Sequence, residues 1–331
     1  MTEIKTYYSR ASFVESTHRV KILVRKANGE TLFSSHNEDD YIYPRSAIKI
    51  FQAIPFANSR AIEKYNLSEK MIALACSSHR GEDYHVKEIK EWLNKIKISE
   101  KNLKCGKHYP LNEIAKEKLL RLKKKISQVH NNCSGKHLAM LTTCLENNYR
   151  LDSYLDFKHP HQKKIRYIFE KFSNTKIKRN NYGIDGCSAP QYSLKMIDVS
   201  EMLSNLTKSY NQQFDFNYEI NLLINCITKY PKYIGGTDSL DTRVMSISGK
   251  KIFCKGGAEG VFLFSHLEKG IHGVIKVEDG NERAIPPIIY KLFKKYKIMN
   301  LKELKNLNRF YNFKLVNHAK IKVGSIKTNL K

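Results

Sequence analysis

The chain of 331 residues has no run of about eighteen apolar residues, so no segment has the composition of a membrane-spanning helix. It also lacks internal repeats and low-complexity linkers. Its first residues do not have the form of a signal peptide, and we expect a cytoplasmic protein. Its seven cysteines are odd in number and scattered, which argues against a disulfide framework and predicts reduced thiols.

Acidic residues are scarce relative to basic ones, with 32 Asp and Glu against 58 Lys and Arg and a net charge of +26. Such an excess is typical of proteins that bind nucleic acid or another anionic surface. The lysines are mixed with Glu, Asn or apolar residues, however, and no aromatic RNA-binding signature or helix-turn-helix pattern accompanies them. We interpret the charge as a compositional bias on a solvated surface and expect no nucleic-acid partner.

The predicted strands lie towards both ends of the chain, with helices between them. Residues 18–34 contain two extended segments joined at Asn28-Gly29, a strong hairpin signal. Helical periodicity dominates the region from roughly 45 to 230. Later strands are predicted at 244–247, 252–255 and 273–278. The pattern predicts an α+β fold in which strands from both ends form one sheet around an inserted helical region.

A serine and a lysine lie three residues apart just after the first strands. Pro44 suits the first position of a helix, where its missing N–H costs nothing, and the apolar residues that follow supply a buried face. Residues three apart on a helix are neighbours. We therefore predict that the hydroxyl of Ser46 and the amine of Lys49 lie about one hydrogen bond apart.

This pair is a nucleophile beside a base, provided that the lysine loses its proton. A free lysine with a pKa of ~10.4 is neutral only about one time in a thousand at neutral pH. Burial or a neighbouring cation must lower that pKa before the amine of Lys49 can take the Ser46 proton during attack on a carbonyl. Spacing alone equally allows a solvated helix face, because such pairs arise by chance in a lysine-rich chain.

Three further segments concentrate polar and reactive side chains. Residues 130–137 precede an apolar helix, so their side chains are expected to point into a site. Residues 183–190 form a glycine-rich turn with a carboxylate and a thiol, and the glycines of 255–260 allow close backbone approach to a ligand. Ser78 and His79 follow a predicted helix, where a helix stop with local hydrogen bonds is an alternative to a functional role.

Taken together, these stretches resemble one family, the serine–lysine L-asparaginases often called asparaginase II. The most specific match is Asn131-Asn132-Cys133-Ser134-Gly135-Lys136-His137. The others run nearly from end to end: Glu15-Ser16-Thr17-His18-Arg19, Pro44-Arg45-Ser46-Ala47-Ile48-Lys49, Ser77-Ser78-His79-Arg80-Gly81-Glu82, Cys105-Gly106-Lys107-His108-Tyr109-Pro110, Asp185-Gly186-Cys187, Asp241-Thr242 and residues 255–260.

The resemblance implies one domain over residues 1–331 with two intimate lobes, a fold similar to serine β-lactamases, penicillin-binding proteins and glutaminases, and a homodimer. It also implies hydrolysis of L-asparagine to L-aspartate and ammonia. Ser46 would be the nucleophile and Lys49 its base, while Ser78 and Lys255 complete the centre. Lys255 would add a positive charge that helps to keep Lys49 neutral and to stabilise an oxyanion.

Zinc is a further implication of the resemblance, because Cys133, Lys136 and Cys187 match positions that hold this metal. From the residues alone the signal is weak: the cysteines are over fifty residues apart, and a lysine ligand must give up its proton. Thiolates do favour zinc. The expected role is substrate placement and site architecture, since Ser46 already supplies the nucleophile.

Free asparagine carries an α-carboxylate and an α-ammonium that a binding site must pair. We expect Arg45 to bind the carboxylate, Asp185 the ammonium and His137 a further polar group, although Arg45 has a structural ion pair as its alternative. Two positions depart from the family pattern. Arg80 stands where a small residue is common, and Ser188 follows Cys187 where glycine is usual, so these changes bear on efficiency more than on reaction type.

Two other functions stay open at this point. A serine hydrolase of the penicillin-recognising kind, acting on glutamine or a β-lactam, would use the same residues. A basic nucleic-acid-binding protein would explain the charge, but it leaves the serine–lysine pair and the thiols unexplained. Its binding would fall steeply with salt and would not depend on Ser46.

Overall fold

The main sheet combines strands from both ends of the chain. The structure is a computed structural model that describes residues 3–310 and 313–331, without the side chains of residues 309 and 310. Its order is β11-β12-β1-β2-β10-β9-β8, with β3 also paired to β2, and neighbouring strands are antiparallel. These strands are β1 (Ile4–Arg10), β2 (Phe13–Lys26), β3 (Thr31–Ser34), β8 (Ile252–Gly257), β9 (Val261–His266), β10 (Ile271–Val277), β11 (Lys314–Val316) and β12 (Lys322–Thr328).

The long strand β2 joins the two ends of the chain. Val20 is paired with Ile4 of β1 on one side and with Val277 of β10 on the other. Three consecutive apolar residues in its second half, Ile22, Leu23 and Val24, are fully buried, which fits a strand covered on both faces. Residues more than 250 positions apart therefore become neighbours through backbone hydrogen bonds.

Helices fill the region between the first and last strands of the main sheet. They are α1 (Lys49–Ala57), α2 (Ala61–Lys64), α3 (Glu69–Ala75), α4 (Asp83–Lys95), α5 (Glu113–Arg121), α6 (Ser134–Glu146), α7 (Pro160–Ser173), α8 (Met196–Tyr210), α9 (Asn217–Lys229), α10 (Lys232–Gly235) and α11 (Leu240–Ser248); α12 (Ile285–Lys295) and α13 (Leu301–Phe310) follow β10. Two small pairs add β4 (Tyr41–Ile42) with β7 (Leu194–Lys195) and β5 (Tyr182–Ile184) with β6 (Pro190–Tyr192).

Helix α1 is the centre of the helical layer. All nine of its residues are buried, and it packs against α6, α7 and α9. Helix α8 lies between this layer and the sheet, in contact with β2, β9 and β10. Trp92 of α4 is fully buried near Phe56 and donates its indole N–H to Thr142 Oγ1 at 3.0 Å, so its one polar atom is satisfied.

The predicted α+β class is confirmed, including one sheet from both chain ends with a helical region inserted. The predicted strand at 244–247 is wrong, because these residues belong to α11. Ser239 caps that helix by accepting a hydrogen bond from Thr242 N–H, and Val244, Met245 and Ser248 are buried at helical spacing. Packing of this face outweighs the strand preference of its β-branched residues.

Within the described ranges, no helix combines the length and apolar character needed to cross a membrane. The single-domain organisation over residues 1–331 stays a prediction.

Gly135 provides a test of the contact between α3 and α6. A Cβ on this residue would lie 2.2 Å from the backbone oxygen of Leu74, a separation that a rigid helix pair cannot accommodate. We expect Gly135→Ala to lower the free energy of unfolding by about 2 to 3 kcal/mol, measured by urea denaturation. Gly186→Ala is the matched control, since its added Cβ would meet only Arg45 Nη2 at 4.0 Å. Equal stability of the two variants would contradict the prediction.

Candidate active site

Ser46 lies in a turn of 3₁₀-helix, Arg45–Ile48, that leads directly into α1. The predicted helix start is therefore present, but its first turn is tighter than an α-helix and Pro44 precedes it as the cap. The end of β8 packs against this turn, because a Cβ on Gly257 would approach Pro44 O within 2.8 Å. Glycine thus permits strand and turn to meet, and their contact positions Ser46 beside β8.

A cavity of about 500 Å³ brings together three of the four predicted catalytic residues. Ser46, Ser78 and Lys255 all line it, together with the glycine-rich end of β8. They come from the turn before α1, from the segment after α3 and from β8, so the cavity lies where the helical region meets the sheet. This convergence is what a reaction centre built from two serines and a lysine requires.

Lys49, the fourth predicted residue, lies behind the cavity and is 1% exposed. Its Nζ lies within hydrogen-bonding distance of three groups: the carbonyl oxygen of Ser77 at 2.5 Å, Ser78 Oγ at 3.0 Å and Cys133 Sγ at 3.1 Å. Among residues 3–310 and 313–331, no hydrogen bond joins Lys49 Nζ to Ser46 Oγ. The predicted direct pair is replaced by a contact between Lys49 and the second serine, Ser78.

Burial lowers the pKa of Lys49 because the charged form loses its hydration. The positive charges of Lys136 and Lys255 act in the same direction, whereas Cys133 acts to raise the pKa. Both physical causes named from the sequence, burial and neighbouring cations, are therefore present around this amine.

Ser78 is oriented by backbone contacts on both sides. Its own N–H donates to Ile234 O at 2.8 Å, and the N–H of the next residue, His79, donates to Asn132 O at 3.1 Å. The fully buried ring of His79 accepts from Gly81 N–H at Nδ1, which leaves Nε2 to donate to Ser134 Oγ at 2.8 Å. His79 therefore ties the Ser78 segment to the start of α6.

Lys255 is 2% exposed and paired with a carboxylate. Its Nζ lies 3.3 Å from Asp241 Oδ2 and 2.8 Å from Gly256 O. Burial alone would raise the pKa of Asp241, but Lys255 and hydrogen bonds from Ser239 and Gly256 outweigh it and lower that pKa. Asp241 was not among the predicted site residues: its segment matched the family, but no local pattern placed it beside Lys255.

The predicted metal ligands form one buried cluster. Cys133, Lys136 and Cys187 are each less than 5% exposed, and Lys136 Nζ lies 2.9 Å from Cys187 Sγ. Interaction between the two thiols lowers the pKa of Cys187 to about 5 with help from Lys136 and, together with burial, raises the pKa of Cys133 to about 12. Two sulfur donors and one nitrogen donor thus converge, a set that fits zinc by donor type.

No group of three or more His, Cys, Asp or Glu residues with metal-binding geometry occurs in the described part of the chain. The cluster above has only two such residues, and its third donor is an amine.

The three predicted substrate-binding residues do not line the cavity. Arg45 is ion-paired with Asp185, with Nε and Nη2 each 2.8 Å from Oδ1, which corresponds to the structural alternative for Arg45. His137 is fully buried and its Nδ1 lies 2.6 Å from Tyr154 Oη. Their roles as substrate contacts stay predictions.

The fold is of the α+β class, and one of its cavities is lined by two serines and a lysine. The chain belongs to the L-asparaginase II family, whose sequence model matches residues 6–328. This membership indicates a hydrolase that acts on amides.

No curated protein shows a match to the chain. Among solved structures, it is similar to a putative β-lactamase from Bacteroides dorei DSM 17855, with 12% sequence identity and a TM-score of 0.41. That similarity covers 78% of this chain and 84% of the other.

Ser188 gives a test of backbone strain beside the thiol cluster. Its φ of 66° lies in the left-handed region, which accounts for the glycine expected at this position. We expect Ser188→Gly to raise the free energy of unfolding by about 1 kcal/mol, measured by urea denaturation. Ser153→Gly, at a position without positive φ, is expected to destabilise by about 0.5 to 1 kcal/mol. A loss of stability in Ser188→Gly would show that strain is not the dominant effect.

Proposed function

We propose that this protein is an L-asparaginase that hydrolyses L-asparagine to L-aspartate and ammonia through an acyl-enzyme on Ser46. The observation that carries the proposal is the cavity lined jointly by Ser46, Ser78 and Lys255, with the amine of Lys49 3.0 Å from Ser78 Oγ. Family membership narrows the reaction to amide hydrolysis. We assign L-asparagine as the substrate because it is the amide named by the family description, L-asparaginase II.

In the first half of the reaction, Ser46 Oγ attacks the side-chain carboxamide carbon as its proton passes through Ser78 to the neutral amine of Lys49. The burial that lowers the pKa of Lys49 supports this role. Collapse of the tetrahedral intermediate breaks the C–N bond, and the proton returns from Lys49 through Ser78 to the departing nitrogen. Ammonia leaves, and the β-aspartyl group remains as an ester on Ser46.

In the second half, water attacks the ester carbon and gives its proton to Lys49, after which Ser46 recovers its proton as aspartate leaves. Lys255 supplies positive charge to both tetrahedral intermediates. Asp241 keeps Lys255 oriented in the cavity wall through their ion pair. Ser46 therefore acts as the nucleophile and Lys49 as the base. Ser78 is the proton relay, and Lys255 is the electrostatic stabiliser.

Zinc is part of the proposal, with Cys133, Lys136 and Cys187 as its protein ligands. Bound there, it would supply a fixed positive charge for substrate placement and hold the segments of the two thiols together. The contact between Lys49 and Cys133 couples this cluster to the catalytic lysine.

A homodimer, a cytoplasmic location and the absence of a nucleic-acid partner stay predictions.

Replacement of the nucleophile tests the proposed reaction. We expect wild type to release ammonia from L-asparagine and Ser46→Ala to lose at least about 10³-fold in kcat, because the proposed ester forms on the Ser46 hydroxyl. Ammonia is measured in a coupled assay, with circular dichroism to confirm folding.

Ser12→Ala, in the exposed turn between β1 and β2, is the matched control and should keep full activity. Glutamine and a β-lactam are assayed in parallel. If the protein turned over either of them faster than asparagine, that compound would be its substrate in place of asparagine. Retained turnover by a folded Ser46→Ala variant would exclude Ser46 as the nucleophile.

Metal analysis tests the thiol cluster. We expect purified wild type to retain roughly one zinc ion per chain after dialysis and Cys187→Ser to retain little, because a serine hydroxyl is a poor replacement for a thiolate. Atomic emission measures the metal, and thiolate-to-cobalt absorption of the cobalt-substituted protein reports the ligands.

Cys144→Ser is the control, since Cys144 is a buried thiol of α6 outside the cluster. Equal zinc content in the two variants would contradict the assignment.

A further inference from the structure

The cavity that contains Ser46 has a cation in its wall that the proposed reaction does not use. Arg80 lines this cavity together with Ser46 and Ser78. In the described part of the chain its guanidinium has no hydrogen-bond or ion-pair partner, whereas Lys255 is paired with Asp241. Arg80 is also one of the two positions at which the sequence departs from the family pattern. A charge left free beside the two serines is available to a ligand.

Arg80 projects to the same side of its segment as Ser78. The segment is not helical, and both residues are half-buried, whereas His79 between them is fully buried and contacts Ser134. This alternation has the two-residue period of an extended chain, in which residues two apart share a side. Two residues span at most about 7 Å. A small amino acid in contact with Ser78 is therefore within reach of the Arg80 side chain.

The backbone and the stem of Arg80 are both restrained. Its carbonyl accepts a hydrogen bond from Asn112 N–H at 3.0 Å. Its stem packs over Gly236, where a Cβ would lie 2.9 Å from Arg80 Cγ. The neighbouring Gly235 lines the cavity, so the stem runs along the cavity wall. Only the guanidinium is left without contacts that fix it.

Glu282 is an unpaired anion in the wall of the same cavity. It begins the 3₁₀ turn Glu282–Ala284 that precedes α12, and its side chain stays accessible to solvent. Within the described ranges its carboxylate has no hydrogen-bond or ion-pair partner. Consecutive residues of a 3₁₀ turn point about 120° apart. Arg283 lies against the ring of Tyr8, so Glu282 points in a different direction from it.

The charges around Glu282 show which direction that is. Reduced hydration raises the pKa of Glu282, while the positive charges of Lys255 and Arg80 act to lower it. Both cations line the cavity, so the carboxylate lies on the cavity side of its turn. Arg80 and Glu282 carry opposite charges without forming an ion pair with each other in the described structure. A space therefore separates them, and a ligand with both charges can bridge it.

We propose that Arg80 and Glu282 form the subsite for the charged end of an amino-acid substrate, in which Arg80 binds the α-carboxylate and Glu282 the α-ammonium. The proposal rests on the proposed asparaginase function and adds the residues that recognise this end of the substrate. A guanidinium matches a carboxylate in bidentate geometry. An amide that lacks either charged group leaves one side chain unpaired and binds more weakly.

Equilibrium binding to the Ser46→Ala protein tests this without turnover. Calorimetry compares L-asparagine with succinamic acid, which lacks the α-ammonium, and with β-alaninamide, which lacks the α-carboxylate. Arg80→Met keeps the stem and removes the charge. We expect it to weaken binding of L-asparagine and succinamic acid about 10- to 100-fold and not to weaken β-alaninamide. Glu282→Gln should weaken L-asparagine and β-alaninamide to a similar extent and not weaken succinamic acid.

Matched controls separate contact from net charge. Arg121→Met and Glu117→Gln change the charge of the protein by the same amounts at exposed positions of α5, and they should bind all three ligands as the parent does. Arg80→Lys should recover part of the affinity for the two carboxylates, because an ammonium keeps the charge but lacks the fork. Circular dichroism and the urea midpoint verify folding of every variant.

The crossed pattern of losses decides the proposal. A loss in only one of the two variants, an equal loss for all three ligands, unchanged affinities, or no binding of L-asparagine by the parent would overturn it. The crossed pattern supports it even if wild type releases no ammonia from L-asparagine; in that case the subsite stands and the proposed reaction fails. Ammonia release without the crossed pattern would leave the reaction standing and the subsite wrong.

Discussion

The buried amine of Lys49 is the interaction on which the site depends. An amine in a protein interior must have partners, because leaving its donors unpaired costs several kcal/mol. Its partners here are the carbonyl of Ser77, the hydroxyl of Ser78 and the thiol of Cys133. These groups follow α3 or precede α6, so one side chain of α1 joins three parts of the helical region. Removing any partner disturbs both the proposed base and the thiol cluster.

The sheet contributes the other wall of the cavity, and its contribution depends on close packing. Gly257 allows β8 to contact the turn that contains Ser46, which places Lys255 opposite the two serines. Strand β8 is in turn fixed by its ladder with β9, which continues through β10 to β2. Register errors in this sheet would shift Lys255 relative to Ser46, because side chains alternate between the two faces.

Charge in the interior is balanced in pairs, unlike charge over the whole chain. Arg45 pairs with Asp185, and Lys255 pairs with Asp241, whereas the complete protein carries a net charge of +26. Asparagine is a neutral zwitterion, so its capture gains little from a distant positive field. Local groups with fixed geometry, such as Lys255 with its contact to Asp241, are better suited to select it.

The sequence by itself determined the α+β class, the position of most helices and, through its family motifs, the residues of the candidate centre, because hydrophobic periodicity and motif spacing are local properties. It did not reveal that 244–247 is helical, since packing overrode strand propensity. Only the tertiary structure decided that Lys49 is hydrogen-bonded to Ser78, that Arg45 is paired with Asp185, and that Asp241 borders the cavity beside Lys255. These relations join segments far apart in the chain, and they depend on strand pairing and helix packing that no local pattern encodes.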